Sequence, residues 1–150
     1  MNRLMLVAVA CLLIAGCANQ PSSAPLPADL AIVNPDASVP ADIRGSSGMW
    51  AGKWRGLAGG QQQDTMLVVE RIAGNEASVV YSQGAHVRFR SLHLRATAKV
   101  ENGVLTFSVP LKDGPAVYSY NLQGDGSLDA KMEYRGFKAV STLKRTTNAL

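Results

Sequence analysis

His86-Val87-Arg88-Phe89-Arg90-Ser91-Leu92-His93-Leu94-Arg95 is the densest run of chemically capable side chains in this chain of 150 residues. Imidazoles and guanidiniums at alternating positions of an extended segment would form a stripe of positive charge. Such a stripe (His86, Arg88, Arg90, His93 and Arg95) suits an anionic partner, a lipid phosphate or an envelope polymer. The plainer alternative is a solvated strand face, where charged residues usually sit. Polar residues take even numbers up to Arg90 and odd numbers from His93 through Thr97 and Lys99. That slip of phase predicts a β-bulge near Ser91. Aromatic residues do not interleave with the cations as single-stranded nucleic-acid binding requires, so no nucleic-acid partner is expected.

Catalytic arrangements find little support. His86 and His93 lack the spacing of a metal pair and have no evident third ligand, so no metal site is expected. Ser, Asp64 and His86 supply the residue types of a hydrolase, but no Gly-x-Ser-x-Gly elbow is present. Asp125 and Asp129 are accounted for as turn and solvent-face residues. No catalytic residue and no cofactor is assigned. An envelope hydrolase, or an accessory subunit of one, using Asp64 and His86 is the alternative to a binding or structural role.

The two cysteines are Cys11 and Cys17. Met1 to Arg3 is a basic start, Leu4 to Ala15 an unbroken apolar run of twelve residues, and Ala15-Gly16 a small-residue cleavage site. This is the plan of a secretory signal peptide, and the run is too short for a spanning helix, which needs about 20 residues. Ile14-Ala15-Gly16-Cys17 resembles the bacterial lipobox. The resemblance implies a leader at 1–16, lipid on Cys17, and a mature chain without a thiol, hence without disulfides. Multiple acyl chains would anchor firmly where a single one binds marginally. The resemblance also implies export and, through Ala18 after the lipidated Cys, residence at the outer membrane on its periplasmic side; the alternative is the outer face of a cell membrane.

Residues 17–44 then read as the lipidated terminus and a disordered linker. The segment holds five of the seven prolines with much Ala and Ser, too few apolar groups to build a core. The alternative is that Leu30-Ala31-Ile32-Val33 docks on the domain as an extra strand. The linker carries three Asp against one Arg, while 45–150 carries 13 Lys/Arg against 8 Asp/Glu.

The 45–150 domain must position whatever site exists. Period-two alternation at Leu105-Phe107-Val109, Ala116-Tyr118-Tyr120-Leu122 and Leu128-Ala130-Met132-Tyr134 predicts strands with one buried face. Asn102-Gly103 and Asp125-Gly126 suit type I′ hairpins, and Gly74-Asn75, Asp113-Gly114-Pro115 and Arg135-Gly136 mark further reversals. Eight strands result, at 49–57, 65–72, 76–82, 86–99, 103–109, 116–122, 127–134 and 137–145. Tight consecutive hairpins predict an all-β fold, an antiparallel up-and-down barrel of about eight strands.

The first strand places Trp50 and Trp54 on one face, with Gly52 and Gly56 leaving room for facing rings. Gly48-Met49-Trp50 and Gly52-Lys53-Trp54 resemble the Gly-x-Trp of lipocalins and avidins, the calycin barrels. The resemblance implies that a basic residue of the last strand, here Arg145, crosses that Trp; with Trp54 this would make a barrel-closing cation–π contact. It also implies that the Gly59-Gly60-Gln61-Gln62-Gln63 loop lies over the mouth. The function expected is a non-enzymatic binding or structural module, its partner a small apolar ligand or an envelope component.

Overall fold

The computed structural model describes residues 23–60, 62–86 and 90–147. A single helical turn, α1 (Ala41–Arg44), precedes eight strands. These are β1 (Gly48–Gly56), β2 (Gln63–Ala73), β3 (Glu76–Gln83), β4 (Leu92–Glu101), β5 (Val104–Leu111), β6 (Gly114–Leu122), β7 (Leu128–Tyr134) and β8 (Phe137–Thr146). Every strand pairs antiparallel with its sequence neighbours, and β8 returns to β1, closing an up-and-down barrel. Closure leaves no sheet edge. The stretch expected to be a leader with its lipobox-like end and Cys17 lies outside the described residues, as does Arg88.

Turn chemistry sets the meander. Asn102-Gly103 and Arg135-Gly136 both adopt positive φ at both positions, the type I′ geometry that matches strand twist. Asp125-Gly126 does not follow the expectation, because only Gly126 has positive φ. Asp125 instead accepts from the Ser127 amide and hydroxyl, and Gln123 bonds Ser127 across a wider loop. These Ser127 bonds hold the Asp125 carboxyl below its usual range.

Inward residues build the core. On β1 Trp50 and Trp54 are buried, on β2 Leu67 and Val69, on β3 Val79 and Tyr81, and on β5 Leu105 and Phe107. Exposed outward positions are mostly polar or charged, for example Arg71, Thr97, Lys99, Asp129, Lys131 and Lys144, with Val117 an exception. A membrane-spanning barrel has the inverse distribution. Among the described residues no helix is long and apolar enough to cross a membrane.

Three expectations need correction. The fourth strand begins at Leu92 rather than at 86, so the anticipated slip at Ser91 is the entry to a strand and not a bulge. The bulge lies at Glu70, where the β2–β3 register shifts between Val69 and Arg71. And over 23–44 the linker is no free stalk. Ala24, Val39 and Ile43 are buried. The bulge explains part of this: Glu70 is left out of the ladder, so its carbonyl accepts from the Val33 amide at 2.7 Å and its carboxylate from the Ala31 amide at 3.1 Å. Ser82 Oγ bonds the Pro25 carbonyl. Arg95 reaches Asp29 Oδ1 at 3.0 Å and Glu70 Oε2 at 3.4 Å. Residues 24–33 thus form a strap along β2–β4, over outward-facing Met66, Val68 and Val80, which are fully buried.

Candidate ligand cavity

The two ends of the barrel differ. At one end, reached by the β2–β3, β4–β5 and β6–β7 hairpins, Val39 and Ile43 plug the core just ahead of β1. Trp50 is fully buried there and its indole N–H donates to the Ser46 carbonyl at 2.8 Å. Arg145, the cross-strand partner of Trp50, stands 4.3 Å from that ring and donates to the Ser47 and Gly45 carbonyls. The expected basic cap on the first strand is present, but on Trp50 rather than Trp54. The reason is register: Arg145 pairs with Trp50, whereas Trp54, just before the Arg55↔Val140 pair, falls level with Ser141. Gly48, at φ +113°, makes the approach possible, since a Cβ there would lie 2.6 Å from the guanidinium. Gly52 serves a different purpose from that expected. It accommodates Ser141 and the Thr142 carbonyl of β8, not a ring, whereas Gly56 does face the Phe137 ring.

Toward the other end the barrel is hollow. A cavity of about 670 Å³ is lined by Trp54, Tyr81 and Tyr118 at depth. Val109, Leu111, Ala116, Met132, Tyr134, Phe137 and Ala139 form its walls. That volume falls within the range of small-molecule sites, roughly 300–1,000 Å³. Alternation places these walls: each is an inward position near the mouth end of its strand. The β4–β5 ladder extends only from Glu101↔Val104 to Lys99↔Thr106, next to the hairpin at the closed end.

Aromatic rings form the floor. Phe107 stacks on Tyr118 at 5.3 Å and on Tyr120 at 5.9 Å, and Tyr81 lies 4.6 Å from Tyr118. Trp54 meets Tyr118 and Tyr120 at 5.9 and 6.4 Å. Offset and tilted pairs of this kind add about 0.5–1.5 kcal/mol each beyond burial. The Trp54 indole N–H donates to Tyr81 Oη, whose hydroxyl donates to Gln83 Oε1 at 3.0 Å. Burial pushes the Tyr81, Tyr118 and Tyr120 hydroxyls above their ordinary pKa, so all three stay neutral. Tyr120 Oη and Ser141 Oγ are buried without a hydrogen-bond partner among the described residues. They lie in one row across the sheet, Tyr120 opposite Ala130 and Ala130 opposite Ser141.

Apart from the tyrosine hydroxyls, the polar side chains of the lining stand on one side of the mouth, at Gln63, Gln83, His86, Arg90 and Ser91. The basic run is therefore split. His86 and Arg90 line the cavity, while His93 and Arg95 alternate outward on β4 with Leu92 and Leu94 facing in. Arg95 is occupied by Asp29 and Glu70, so no continuous stripe forms. Asp64 is bound to Lys53, its cross-strand partner, at 2.7 Å on the outer face, and does not share a site with His86. Gly59, Gly60 and Gln63 do lie at the mouth. Among the described residues no three His, Cys, Asp or Glu side chains are grouped to hold a metal.

Sequence reasoning offered Trp54 as a ligand residue, set His86 and Arg90 on an outward basic stripe rather than in a cavity, and missed Tyr81 and Tyr118 as cavity residues. Their inward parity was legible; that the strands enclose space at their level was not.

No protein-family model and no curated protein matches the sequence. Among solved structures the chain is similar to a redesigned β-barrel, at 12% identity and TM-score 0.59, over 73% of this chain and 99% of that one. It is similar also to a de novo designed fluorescence-activating β-barrel, at 17% identity and TM-score 0.52, over 69% of this chain and 96% of that one. At these identities the likeness is one of fold alone.

Proposed function

We propose that this protein is an exported, lipid-anchored binding module without catalytic activity, which holds a small amphipathic molecule in the open half of its barrel. The apolar body lies against the walls formed by Val109, Ala116, Met132 and Ala139 and above the aromatic floor, and the polar end points to Gln83, His86 and Arg90. The observation that carries this reading is the cavity itself, about 670 Å³ of mainly apolar space open at one end. The lipobox resemblance at Ile14-Ala15-Gly16-Cys17 supports the anchor, and Ala18 the outer membrane.

Titration of the chain from Ala18 onward with cis-parinaric acid, a fluorescent polyene fatty acid, tests the binding role. Saturable binding is expected, with loss of at least about tenfold in affinity in Ala116→Trp, since an indole would fill the cavity next to Tyr118. Val117→Trp, one residue on and facing out, serves as the control. Equal binding by wild type and Ala116→Trp would place the probe elsewhere and refute the site. The anchor is checked separately: metabolic fatty-acid label follows wild type and is absent from Cys17→Ala.

A further inference from the structure

The rim of the mouth has a surface unlike any other part of the barrel. Six large apolar residues are exposed among the described residues, and three of them stand on the rim. Leu57 (62% exposed) lies beyond the end of β1, Leu111 (41%) at the end of β5, and Phe137 (47%) at the start of β8. In an up-and-down barrel these three positions share one end. Cations stand among them: Arg90, Lys112, Arg135 and Lys138. Arg135 is 3.6 Å from Asp113 and Lys138 3.9 Å from Glu133, whereas no carboxylate pairs with Arg90 or Lys112 among the described residues. Exposed apolar tips ringed by basic residues are the composition of an interfacial membrane contact.

The strap supplies an independent argument from direction. Pro25 is tied to Ser82, whose hydroxyl also reaches the carbonyl of Leu92, a cavity residue at the mouth. Ala31 and Val33 are tied to Glu70, and Val39 and Ile43 enter the core at the closed end. The chain therefore runs from mouth to closed end, and whatever precedes residue 23 departs from the mouth. Seven Cα-to-Cα steps lead from Cys17 to Ala24, a reach of about 25 Å at most. The barrel is itself about 20 Å tall, from strands of seven or more residues tilted in the wall. A lipid on Cys17 thus has room to reach a bilayer facing the mouth, and almost none to reach one facing the closed end.

We propose that the rim docks on the anionic surface of the bilayer that carries the anchor, with Leu57, Leu111 and Phe137 in the interface and Arg90 and Lys112 on lipid headgroups. The strap, clasped by Arg95, holds the barrel in this mouth-down orientation, so a lipid-like guest passes between bilayer and cavity without crossing open water. This rests on the anchored reading above but not on any ligand being bound.

The test uses the lipidated full chain in phosphatidylcholine vesicles containing phosphatidylglycerol, with bromine-labelled acyl chains as quencher. Single tryptophans are added as Phe137→Trp at the rim and Glu101→Trp on the β4–β5 hairpin at the closed end, against the unsubstituted protein as baseline. The expected result is quenching several-fold stronger at 137 than at 101. Equal quenching, or stronger quenching at 101, would overturn the orientation. Arg90→Ala with Lys112→Ala should weaken rim insertion by roughly five-fold for each charge removed, as should omission of phosphatidylglycerol. A contrast indifferent to both would overturn the assignment to anionic headgroups. Fatty-acid labelling of the same preparation verifies the anchor, so failure of the anchor is distinguishable from failure of the orientation.

Discussion

The first strand carries the same three-residue pattern twice, and the two copies meet opposite fates. Gly48-Met49-Trp50 closes one end of the barrel: its glycine admits the Arg145 guanidinium and its indole is fully buried against Ser46. Gly52-Lys53-Trp54, four residues on, lines the cavity at the other end. The side chains are alike, and what differs is the material above each ring. Trp50 has Val39, Ile43 and an arginine available to cover it; Trp54 has a tyrosine hydroxyl, other rings and open space. Closure and binding are thus produced by one strand, divided by how much chain is present at either end to fill it.

Substitution of the two tryptophans is the most forceful test of this division. Trp50→Ala should destabilise by about 3–5 kcal/mol in denaturant unfolding, as truncation of a close-packed ring does. Trp54→Ala should cost roughly half of that or less, because one face of the ring already borders a cavity, and should instead alter binding of cis-parinaric acid. Equal stability losses would mean that the two ends are packed alike. Next in size is Arg145→Ala, which removes two carbonyl contacts and the cation over Trp50. A loss of about 1–3 kcal/mol is expected, with probe binding unchanged. Tyr120→Phe, between the two ends, should be neutral or stabilise by up to about 1 kcal/mol, since it deletes a buried hydroxyl that has no partner among the described residues.

The smallest effect concerns the strap. The Arg95 side chain bonded to Asp29 holds that carboxyl below its ordinary value of 3.8, helped by a backbone bond. A lowered folded-state pKa contributes stability that is present above the unfolded value and is lost as pH falls through the folded one. The clasp should therefore hold at neutral pH and loosen only below 3.8. Hydrogen-exchange protection factors at the Ala31 and Val33 amides should fall in that acid window before those of the barrel strands do. Arg95→Ala should produce the same loosening at neutral pH.

Much of the architecture was readable from local pattern. Period-two runs such as Leu128-Ala130-Met132-Tyr134 and the Asn102-Gly103 and Arg135-Gly136 turns specify strands and reversals through backbone sterics, which act within a few residues. The same logic overreached at the start of the fourth strand, which begins at Leu92 and not at 86. Alternation reports which residues would share a face, not where the ladder begins.

What the amino-acid sequence determined by itself was the order of strands, the parity of each side chain and the presence of a tryptophan pair awaiting an arginine. Register between β1 and β8 decided which tryptophan Arg145 covers, and that register depends on all eight strands closing together. Likewise only the folded barrel made Glu70 an unpaired bulge residue, and with it a docking point for a proline-rich segment that on composition has no core of its own. The hollow above Trp54 belongs to the same class: a cavity is a property of residues from all eight strands taken at one level, and no single stretch of sequence contains it.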